Sequence, residues 1–313
     1  MVYETFLNTI QAMVQNRLNG RAQVSLQRVL KNNGLLLDGL TISAPTARLS
    51  PTVYLNSYYD EAEQGLPLSV IAEQILLLYE EEPDFPQSLS DSLTDFSSIR
   101  ERIVYKLINA ADNTILLSSV PHYRYLDLAI VFYLIVAEQE EGQMTALIHS
   151  EHLNLWNTTL EELSELAQAN TPRLLPSCIT PIEEAIFQID PDCFPEHQDV
   201  PPVNLYVLSN QKGFYGASCV LYPEVLKQFA EKMEDDLIVL PSSIHEVLLT
   251  PASQALPQKE LNHMIQSINL SDVPQEDRLS DHVYFYSRTQ SCLYLPSRLM
   301  SSSSVPGETG NLQ

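Results

Sequence analysis

The sequence predicts an α+β protein, a mainly antiparallel sheet with packed helices. Three observations carry this prediction. Apolar residues recur at helical spacing near the start of the chain, and an Asn-Gly pair joins two runs with apolar alternation. The pattern Leu-Pro-Ser-x-Ile occurs at 175–179 and again at 240–244, 65 residues later, after similar flanking patterns. The larger lobe is therefore predicted to contain two related strand-strand-helix-strand units.

Residues 1–82 are predicted to form an N-terminal lobe of helix, hairpin and helix. The first helix ends before Asn19-Gly20, a typical stop signal. Asn33-Gly34 then turns a β-hairpin, since both residues tolerate positive φ, and 52–55 is a short strand or extended entry. The second helix carries an apolar stripe over 70–79. The apolar stripe of the first helix consists of Tyr3, Phe6, Leu7, Ile10, Met13, Val14 and Leu18.

The main lobe is predicted to span residues 98–298. Residues 83–97 read PDFPQSLSDSLTDFS, a composition that favours an acidic linker between two lobes. Residues 299–313 cannot bury enough apolar surface to offset their ordering entropy, so they are predicted to be a disordered tail.

Alternation and apolar runs place the elements of the main lobe. The first unit is predicted as a strand over 126–136 that is buried on both faces, a hairpin partner over 144–148, and a helix from Leu160 with Thr158 or Thr159 as its N-cap. The segments predicted for the second unit are strands over 205–208 and 215–221, a helix from Pro223 and a strand over 237–240. Further elements are a strand over 103–108, a helix near 261–268 and paired strands near 283–286 and 292–295.

Composition limits the partners. The 313 residues carry a formal net charge of -23, which disfavours binding to phosphate backbones or anionic lipid. A nucleic-acid contact through the basic N-terminal segment, with Arg17, Arg21, Arg28 and Lys31, is a weaker alternative. No apolar run approaches the roughly 20 residues of a membrane span, the start does not read as a signal peptide, and four scattered cysteines suit a reducing compartment. We therefore expect a cytoplasmic protein.

The sharpest polar cluster is Ser242-Ser243-Ile244-His245-Glu246. A serine nucleophile needs a base within hydrogen-bond reach and an acid that orients the base, and these residue types are present here. No Gly-x-Ser-x-Gly elbow occurs, and on a strand His245 and Glu246 would point to opposite faces. A hydrolase-like site at 242–246 is therefore the alternative to groups that satisfy backbone atoms at a strand end.

Neither a metal nor a cofactor is expected. His149 and His152 flank Glu151 and would approach each other on a helix, but His-x-x-His alone lacks the further ligands that zinc requires. The loop 190–197, DPDCFPEH, is rich in possible ligands and does not fit the calcium-loop pattern. No glycine-rich phosphate loop occurs among the nine glycines.

Several runs together resemble a bacterial family, the domain-of-unknown-function 5688 family, over roughly residues 1–288. The runs are Lys31–Gly34, Asp38–Leu40, Pro51–Asn56, Tyr58-Tyr59, Lys106–Asn109, Leu126–Phe132, Asn170–Pro172 and Leu240–Leu249. The later half is similar, more distantly, to the domain-of-unknown-function 1444 family. The resemblance implies a cytoplasmic bacterial protein of unknown activity and supplies no established catalytic residues.

The absence of recognised catalytic motifs and the acidic composition favour a non-enzymatic binding or regulatory module with an unknown protein partner. The hydrolase-like enzyme at Ser242, Ser243, His245 and Glu246 is the alternative hypothesis.

Overall fold

The computed structural model describes residues 1–44, 52–81, 93–139, 142–189, 204–241 and 243–296. Contact density divides the chain into two compact units: residues 1–101 with 151–158, and residues 102–150 with the chain from Thr159 onward. All paired strands within the described residues are antiparallel, and helices pack against them. The predicted α+β class is confirmed.

The first unit begins with helix α1 (Tyr3–Leu18). The helix ends as predicted, because Asn19 and Gly20 adopt positive φ angles of 47° and 78°. Five of the seven residues in the predicted stripe are buried and the other two, Tyr3 and Met13, pack beside them. The same core also contains residues of the sheet and of a later helix. Its fully buried members include Phe6, Ile10, Val14, Leu40, Ile42, Ile71 and Ile75.

The sheet of the first unit has the order β1 (Gln23–Leu30), β2 (Leu36–Ser43), β3 (Thr52–Tyr54). The predicted hairpin is confirmed, and Asn33 and Gly34 at its turn have φ of 56° and 70°. Helix α2 (Asn56–Glu63) follows and was not predicted, because it has no buried residue and hence no apolar stripe. The predicted second helix is α3 (Leu68–Glu81), and a short α4 (Phe96–Ile99) lies beyond it.

The second unit contains a four-stranded sheet centred on one long strand. Strand β6 (Leu128–Gln139) pairs with β4 (Ile103–Asn109), β5 (His122–Tyr125) and β7 (Gly142–Leu147). Nearly all residues over 128–136 are buried, so the prediction of a strand buried on both faces is confirmed. A short helix α5 (Thr114–Leu117) lies between β4 and β5. Along the chain, β7 is followed by helix α6 (Ser150–Trp156), whose residues from 151 onward belong to the first unit.

Helix α7 (Leu160–Leu174) covers the edge of β4. Thr159 caps it, as predicted, by accepting a hydrogen bond from the Glu162 N–H at 3.2 Å. Asn170 Nδ2 donates to the Ile103 carbonyl at 3.0 Å, and the Tyr105 N–H donates to Thr171 Oγ1 at 3.1 Å. These two buried side chains satisfy edge-strand backbone groups that would otherwise be orphaned.

A six-stranded antiparallel sheet completes the second unit, in the order β13-β12-β10-β11-β9-β8. Its elements along the chain are β8 (Ser177–Pro181), α8 (Ile182–Ile189), β9 (Tyr206–Asn210), α9 (Val225–Met233), β10 (Leu237–Leu240), β11 (Val247–Pro251), α10 (Gln258–Ser271), β12 (Tyr284–Ser287) and β13 (Cys292–Tyr294). The predicted pairing of the last two strands is confirmed.

The prediction of two related strand-strand-helix-strand units is wrong. Residues 216–221, predicted as a strand, form a 3-10 helix after Tyr215, which has φ of 55°. The backbone is tightly packed here, since a Cβ on Gly216 would lie 2.5 Å from the His245 carbonyl oxygen. The two Leu-Pro-Ser-x-Ile copies also differ, because the last three residues of the first copy lie within β8, whereas the second copy begins at Leu240, the last residue of β10.

Part of the predicted domain organisation lies outside the described residues. This group contains residues 83–92 of the proposed linker, the loop 190–197, and residues 297–313, which include the predicted tail. The division into 1–82, 83–97, 98–298 and 299–313 stays a prediction.

Candidate functional site

The described part of the predicted cluster 242–246 is the loop 243–246, which lies in the chain between β10 and β11. The Ser243 hydroxyl donates to Glu246 Oε1 at 2.7 Å, and the His245 backbone N–H donates to Ser243 Oγ at 2.9 Å. The Ser243 hydroxyl is therefore directed at the Glu246 carboxylate and not at the imidazole. Ser242 lies outside the described residues, so its role as a nucleophile stays a prediction.

Both ring nitrogens of His245 have partners. The Tyr215 N–H donates to Nδ1 at 3.3 Å, and Nε2 lies 3.2 Å from Asp277 Oδ1. The hydrogen bond to Asp277 raises the pKa of His245, against the opposing effect of burial. The Tyr215 ring stacks on the imidazole at 5.7 Å between centroids.

The backbone of this loop is also hydrogen-bonded. Ser209 Oγ donates to the His245 carbonyl at 2.8 Å, and the Ile244 N–H donates to the Asp277 carbonyl at 2.8 Å. The polar groups near His245 thus satisfy one another and the backbone, which is the arrangement that sequence analysis set against the hydrolase-like site.

Of the weak metal candidates, His149 lies one residue before α6 and His152 lies within it. The His152 ring stacks on Trp156 at 5.2 Å between centroids. Within the described ranges, no group of three or more His, Cys, Asp or Glu side chains is placed to hold a metal ion.

The basic N-terminal segment is largely engaged within its own unit. Arg21 lies 3.9 Å from Glu80, Arg28 lies 3.4 Å from Asp38, and the Lys31 ammonium lies 4.2 Å from the centroid of the Tyr54 ring. These contacts are mostly exposed and contribute little stability, and the nucleic-acid alternative stays a prediction.

A second polar cluster, which the sequence analysis missed, lines a cleft of about 270 Å³ in the second unit. We call it the Asp127 cleft. Its walls are the end of β4 with the turn after it (109–112), the turn before β6, the end of α10 (269–270) and the segment 278–282 before β12.

Asp127 sits on a constrained turn. Leu126, the preceding residue, has φ of 56°, a conformation that is unfavourable for a residue with a Cβ. The Ala110 N–H donates to the Asp127 carbonyl at 3.1 Å, which fixes the turn against the end of β4. Surrounding structure must hold such a conformation, and strain of this kind often marks functional positions.

Three side chains from one distant segment converge on the Asp127 carboxylate. Ser280 Oγ donates to Oδ2 at 2.7 Å, the Tyr284 hydroxyl donates to Oδ1 at 2.7 Å, and His282 Nδ1 lies 3.1 Å from Oδ2. Burial, with the nearby Asp127 charge, raises the pKa of Tyr284 well above its ordinary value, so this phenol remains a donor. The carboxylate is thereby fixed in position at the cleft.

Two asparagines of the cleft form hydrogen bonds with the segment 279–281. Asn109 Nδ2 donates to the Leu279 carbonyl at 3.0 Å. Asn269, only 2% exposed, donates through Nδ2 to the Ser280 carbonyl at 3.1 Å and to Asp281 Oδ1 at 2.8 Å. Its amide oxygen is buried and has no hydrogen-bond partner within the part of the chain that the structure describes.

His282 is the most accessible of the three side chains that meet the Asp127 carboxylate. Its side chain is 59% exposed. When Nδ1 carries the proton that Asp127 accepts, Nε2 is left as an acceptor toward solvent. The Ser280 hydroxyl is directed at Asp127 and not at the imidazole, so these residues form an Asp-His pair and not a serine triad.

Sequence reasoning missed this cluster because its members are far apart in the chain. Asp127 and His282 are separated by 155 residues. The available signals were a single acid in the apolar run 126–136 and the polar tripeptide Ser280-Asp281-His282 before an alternating strand.

The family comparison agrees with the resemblance found in the sequence. The chain belongs to the family of unknown function DUF5688, whose model matches residues 3–288. The more distant likeness to the 1444 family stays a prediction. Neither the curated proteins nor the solved structures contain a significant match to the chain.

Proposed function

We propose that this member of the DUF5688 family is a non-enzymatic binding or regulatory module, and that the Asp127 cleft is its ligand site. One observation carries the proposal. The carboxylate of Asp127 is held at the cleft by Ser280, His282 and Tyr284, three side chains of a single segment. Fixed polar groups around a concave surface are what recognition of a small polar ligand requires.

The carboxylates of Asp112 and Asp281 in the cleft have oxygens that bond no described group. The Asp112 carboxylate makes no hydrogen bond with another described side chain or backbone group, while its own N–H donates to Asn109 Oδ1 at 3.0 Å. Asp281 uses Oδ1 toward Asn269, and none of the described groups bonds its second oxygen. In the loop 243–246, by contrast, the serine and the imidazole are already paired with acids. The unused acceptors favour the cleft as the place where a ligand binds.

A bacterial cytoplasmic setting and a protein partner complete the proposal. None of the helices in the described ranges combines the length and the apolar character needed to cross a bilayer. Cys178, Cys219 and Cys292 are free thiols, which supports a reducing compartment. A regulatory module binds a partner differently when its ligand is bound. The net charge of -23 disfavours a nucleic acid as that partner.

The test is a thermal-shift screen with a panel of small polar probes of positive, negative and zero charge. The Ala111→Phe variant places a ring at an exposed position of the cleft wall. Ala146→Phe, at an exposed position of β7 outside the cleft wall, is the matched control. We expect at least one probe to raise the Tm of the wild type and of the control, and not of Ala111→Phe. Equal shifts in all three proteins, or no shift with any probe, would refute the ligand site.

A hydrolase-like activity is the second candidate, and the Asp-His pair favours it at His282. The exposed imidazole is oriented by Asp127 and its Nε2 has no hydrogen-bond partner in the described chain, which is the geometry of a general base. The test measures p-nitrophenyl acetate hydrolysis by His282→Gln and His245→Gln. An enzyme of this kind loses activity about a hundredfold with the first substitution and keeps it with the second. Equal rates in both variants and the wild type would exclude this candidate.

A further inference from the structure

We infer that the second unit contains another binding site, a cavity that takes a small neutral aromatic molecule with one hydrogen-bonding group. The cavity has a volume of about 480 Å³, within the range of small-molecule sites. Its lining residues and those of the Asp127 cleft do not overlap, so this inference goes beyond the proposed ligand site. We call this second site the Tyr286 cavity.

Four parts of the second unit form the walls of the Tyr286 cavity. They are Tyr125 at the end of β5, residues within 220–227 from the 3-10 helix to the first turn of α9, Tyr286 on β12, and residues 291–293 at the start of β13. Tyr286 and Leu293 are opposite each other in the antiparallel register, so their side chains lie on the same face of the sheet. The cavity therefore lies between this face and the start of α9.

The hydroxyl of Tyr286 is the polar group that a ligand can use. The residue is only 6% exposed, and among the described residues its hydroxyl has no hydrogen-bond partner. Two other buried phenols of this unit are paired, since Tyr284 donates to Asp127 Oδ1 at 2.7 Å and Tyr222 donates to the Leu175 carbonyl at 2.9 Å. Because a buried hydroxyl without a partner is unfavourable, a ligand group that bonds the Tyr286 hydroxyl gains affinity.

The Tyr286 hydroxyl lies on the side of the cavity that faces α9. The hydrogen bond to Glu224 raises the pKa of Lys227, and the Tyr286 phenol adds a smaller effect in the same direction. Such an effect requires the phenol oxygen to be near the Lys227 ammonium, which also lines the cavity. The hydroxyl is thus directed across the cavity and not into the sheet.

The charge balance of the walls favours a neutral ligand. Their two charged side chains neutralise each other, because Lys227 Nζ lies 2.7 Å from Glu224 Oε2. Burial raises the pKa of Tyr125, so this phenol stays uncharged. A charged ligand would lose water without meeting an unpaired opposite charge here, and that loss is costly.

The remaining surface of the walls favours an aromatic ligand. The Tyr222 ring makes an edge contact with Tyr105 at 6.3 Å between centroids, but neither Tyr125 nor Tyr286 makes a ring contact with another described side chain. Aromatic rings gain from offset or edge contacts with a further ring, which a planar ligand supplies. The apolar side chains that surround them belong to Val220, Leu221, Pro223, Leu226 and Leu293.

Four probes of similar size test the chemical class. Benzamide is neutral and aromatic, benzamidinium is its cationic isostere, benzoate is its anionic counterpart, and cyclohexanecarboxamide keeps the amide without the aromatic ring. Their affinities for the full-length protein and its variants are measured by ligand-observed NMR titration.

Two variants locate the site, each with a matched control. Tyr286→Phe removes only the hydroxyl, and Tyr294→Phe makes the same change on β13 outside the lining residues. Leu293→Trp fills the cavity, and Leu36→Trp places the same ring at an exposed strand position of the first unit. Ala111→Phe places a ring in the wall of the Asp127 cleft and leaves the Tyr286 cavity unchanged.

We expect benzamide to bind more tightly than the other three probes. Tyr286→Phe should weaken benzamide roughly threefold to tenfold and leave the Tm close to that of the wild type, since the lost hydroxyl bonds no described group. Leu293→Trp should abolish the binding of benzamide. Tyr294→Phe, Leu36→Trp and Ala111→Phe should each change its affinity by less than about twofold.

Four results would overturn the inference. They are no binding of benzamide at millimolar concentration, tighter binding of any other probe, equal affinity of benzamide for the wild type and Tyr286→Phe, and unchanged binding to Leu293→Trp. Loss of benzamide binding in Ala111→Phe but not in Leu293→Trp would place this molecule in the Asp127 cleft, which refutes the Tyr286 cavity and supports the proposed ligand site.

Discussion

The loop 243–246 and the Asp127 cleft contain the same residue types, a serine, a histidine and acids, in two different arrangements. In the loop the groups are neighbours in sequence and pair with one another or with Asp277. In the cleft, Asp127 meets Ser280 and His282 from a segment about 150 residues away. Oxygens of two other cleft acids, Asp112 and Asp281, bond no described group. The comparison shows that closeness in sequence yields a paired turn here, while convergence through the fold leaves acceptors available for a ligand.

The largest expected effect is that of Asp127→Ala on stability. It leaves the nearly buried Tyr284 hydroxyl and the buried Ser280 hydroxyl without their acceptor, so the free energy of unfolding should fall by about 3 kcal/mol. Urea denaturation measures it. Glu246→Ala, which removes one acceptor in the loop, should cost less than half as much.

Tyr284→Phe tests how much of the stability loss in Asp127→Ala comes from the Tyr284–Asp127 hydrogen bond. Phenylalanine removes the hydroxyl that Asp127→Ala would leave unpaired, so the double variant should be less destabilised than the sum of the two single variants, by about 1 kcal/mol. Strict additivity would mean that the Tyr284–Asp127 hydrogen bond does not stabilise the fold.

Gly216→Ala tests the support of the loop. The added Cβ would lie 2.1 Å from Ser209 Oγ, 2.5 Å from the carbonyl oxygen of His245 and 2.7 Å from the backbone nitrogen of Asn210. Because two of these atoms belong to the backbone, we expect a loss of about 2 kcal/mol in urea denaturation. Gly213→Ala is the control, since its Cβ meets nothing within 4 Å and only its φ of +74° costs energy, about 1 kcal/mol. A loss at 216 no larger than that at 213 would contradict the close approach.

The His245–Asp277 pair should make stability depend on pH. Because the pKa of His245 is raised above its ordinary 6.5, its contribution is fully present below that value and is lost as the pH rises through the folded-state pKa. The stability difference between wild type and His245→Gln should therefore be larger at pH 5.5 than at pH 8.5. A constant difference, or one that grows with pH, would contradict the pairing.

The smallest effects compare the two serines directly. Ser243→Ala and Ser280→Ala each remove one hydroxyl donor to a carboxylate, and each should cost about 1 kcal/mol of unfolding free energy. Only Ser280→Ala should weaken the binding of a probe that raises the Tm in the thermal-shift screen, since Ser280 holds the Asp127 carboxylate of the cleft. If Ser243→Ala weakens the binding of the probe instead, the ligand site lies at the loop 243–246 and not at the cleft.

Local patterns in the sequence were enough for much of the fold. The α1 stripe, the turn at Asn33-Gly34, the apolar run of β6 and the Thr159 cap all follow from neighbours within a few residues. The segment 216–221 failed because its alternation suits a strand, while the packing of the Gly216 backbone against Ser209 and His245 imposes a 3-10 helix.

The cleft was beyond sequence reasoning for a related reason. Leu126 carries no signal for positive φ, since its conformation is set by the turn between β5 and β6. Asp127 meets Ser280, His282 and Tyr284 only once both sheets of the second unit have formed. The loop residues were found because they are adjacent in the chain, but their pairing with Asp277 depends on tertiary structure.

The most direct test is a titration of ¹⁵N-labelled protein with a probe that raises the Tm in the thermal-shift screen, observed at the side-chain amides of Asn109 and Asn269. Binding in the Asp127 cleft predicts that both amides shift in a saturable manner, while the backbone amides of residues 243–246 stay unchanged. Saturable shifts confined to the loop, or no saturable shift at either asparagine, would contradict the central claim that the cleft is the ligand site.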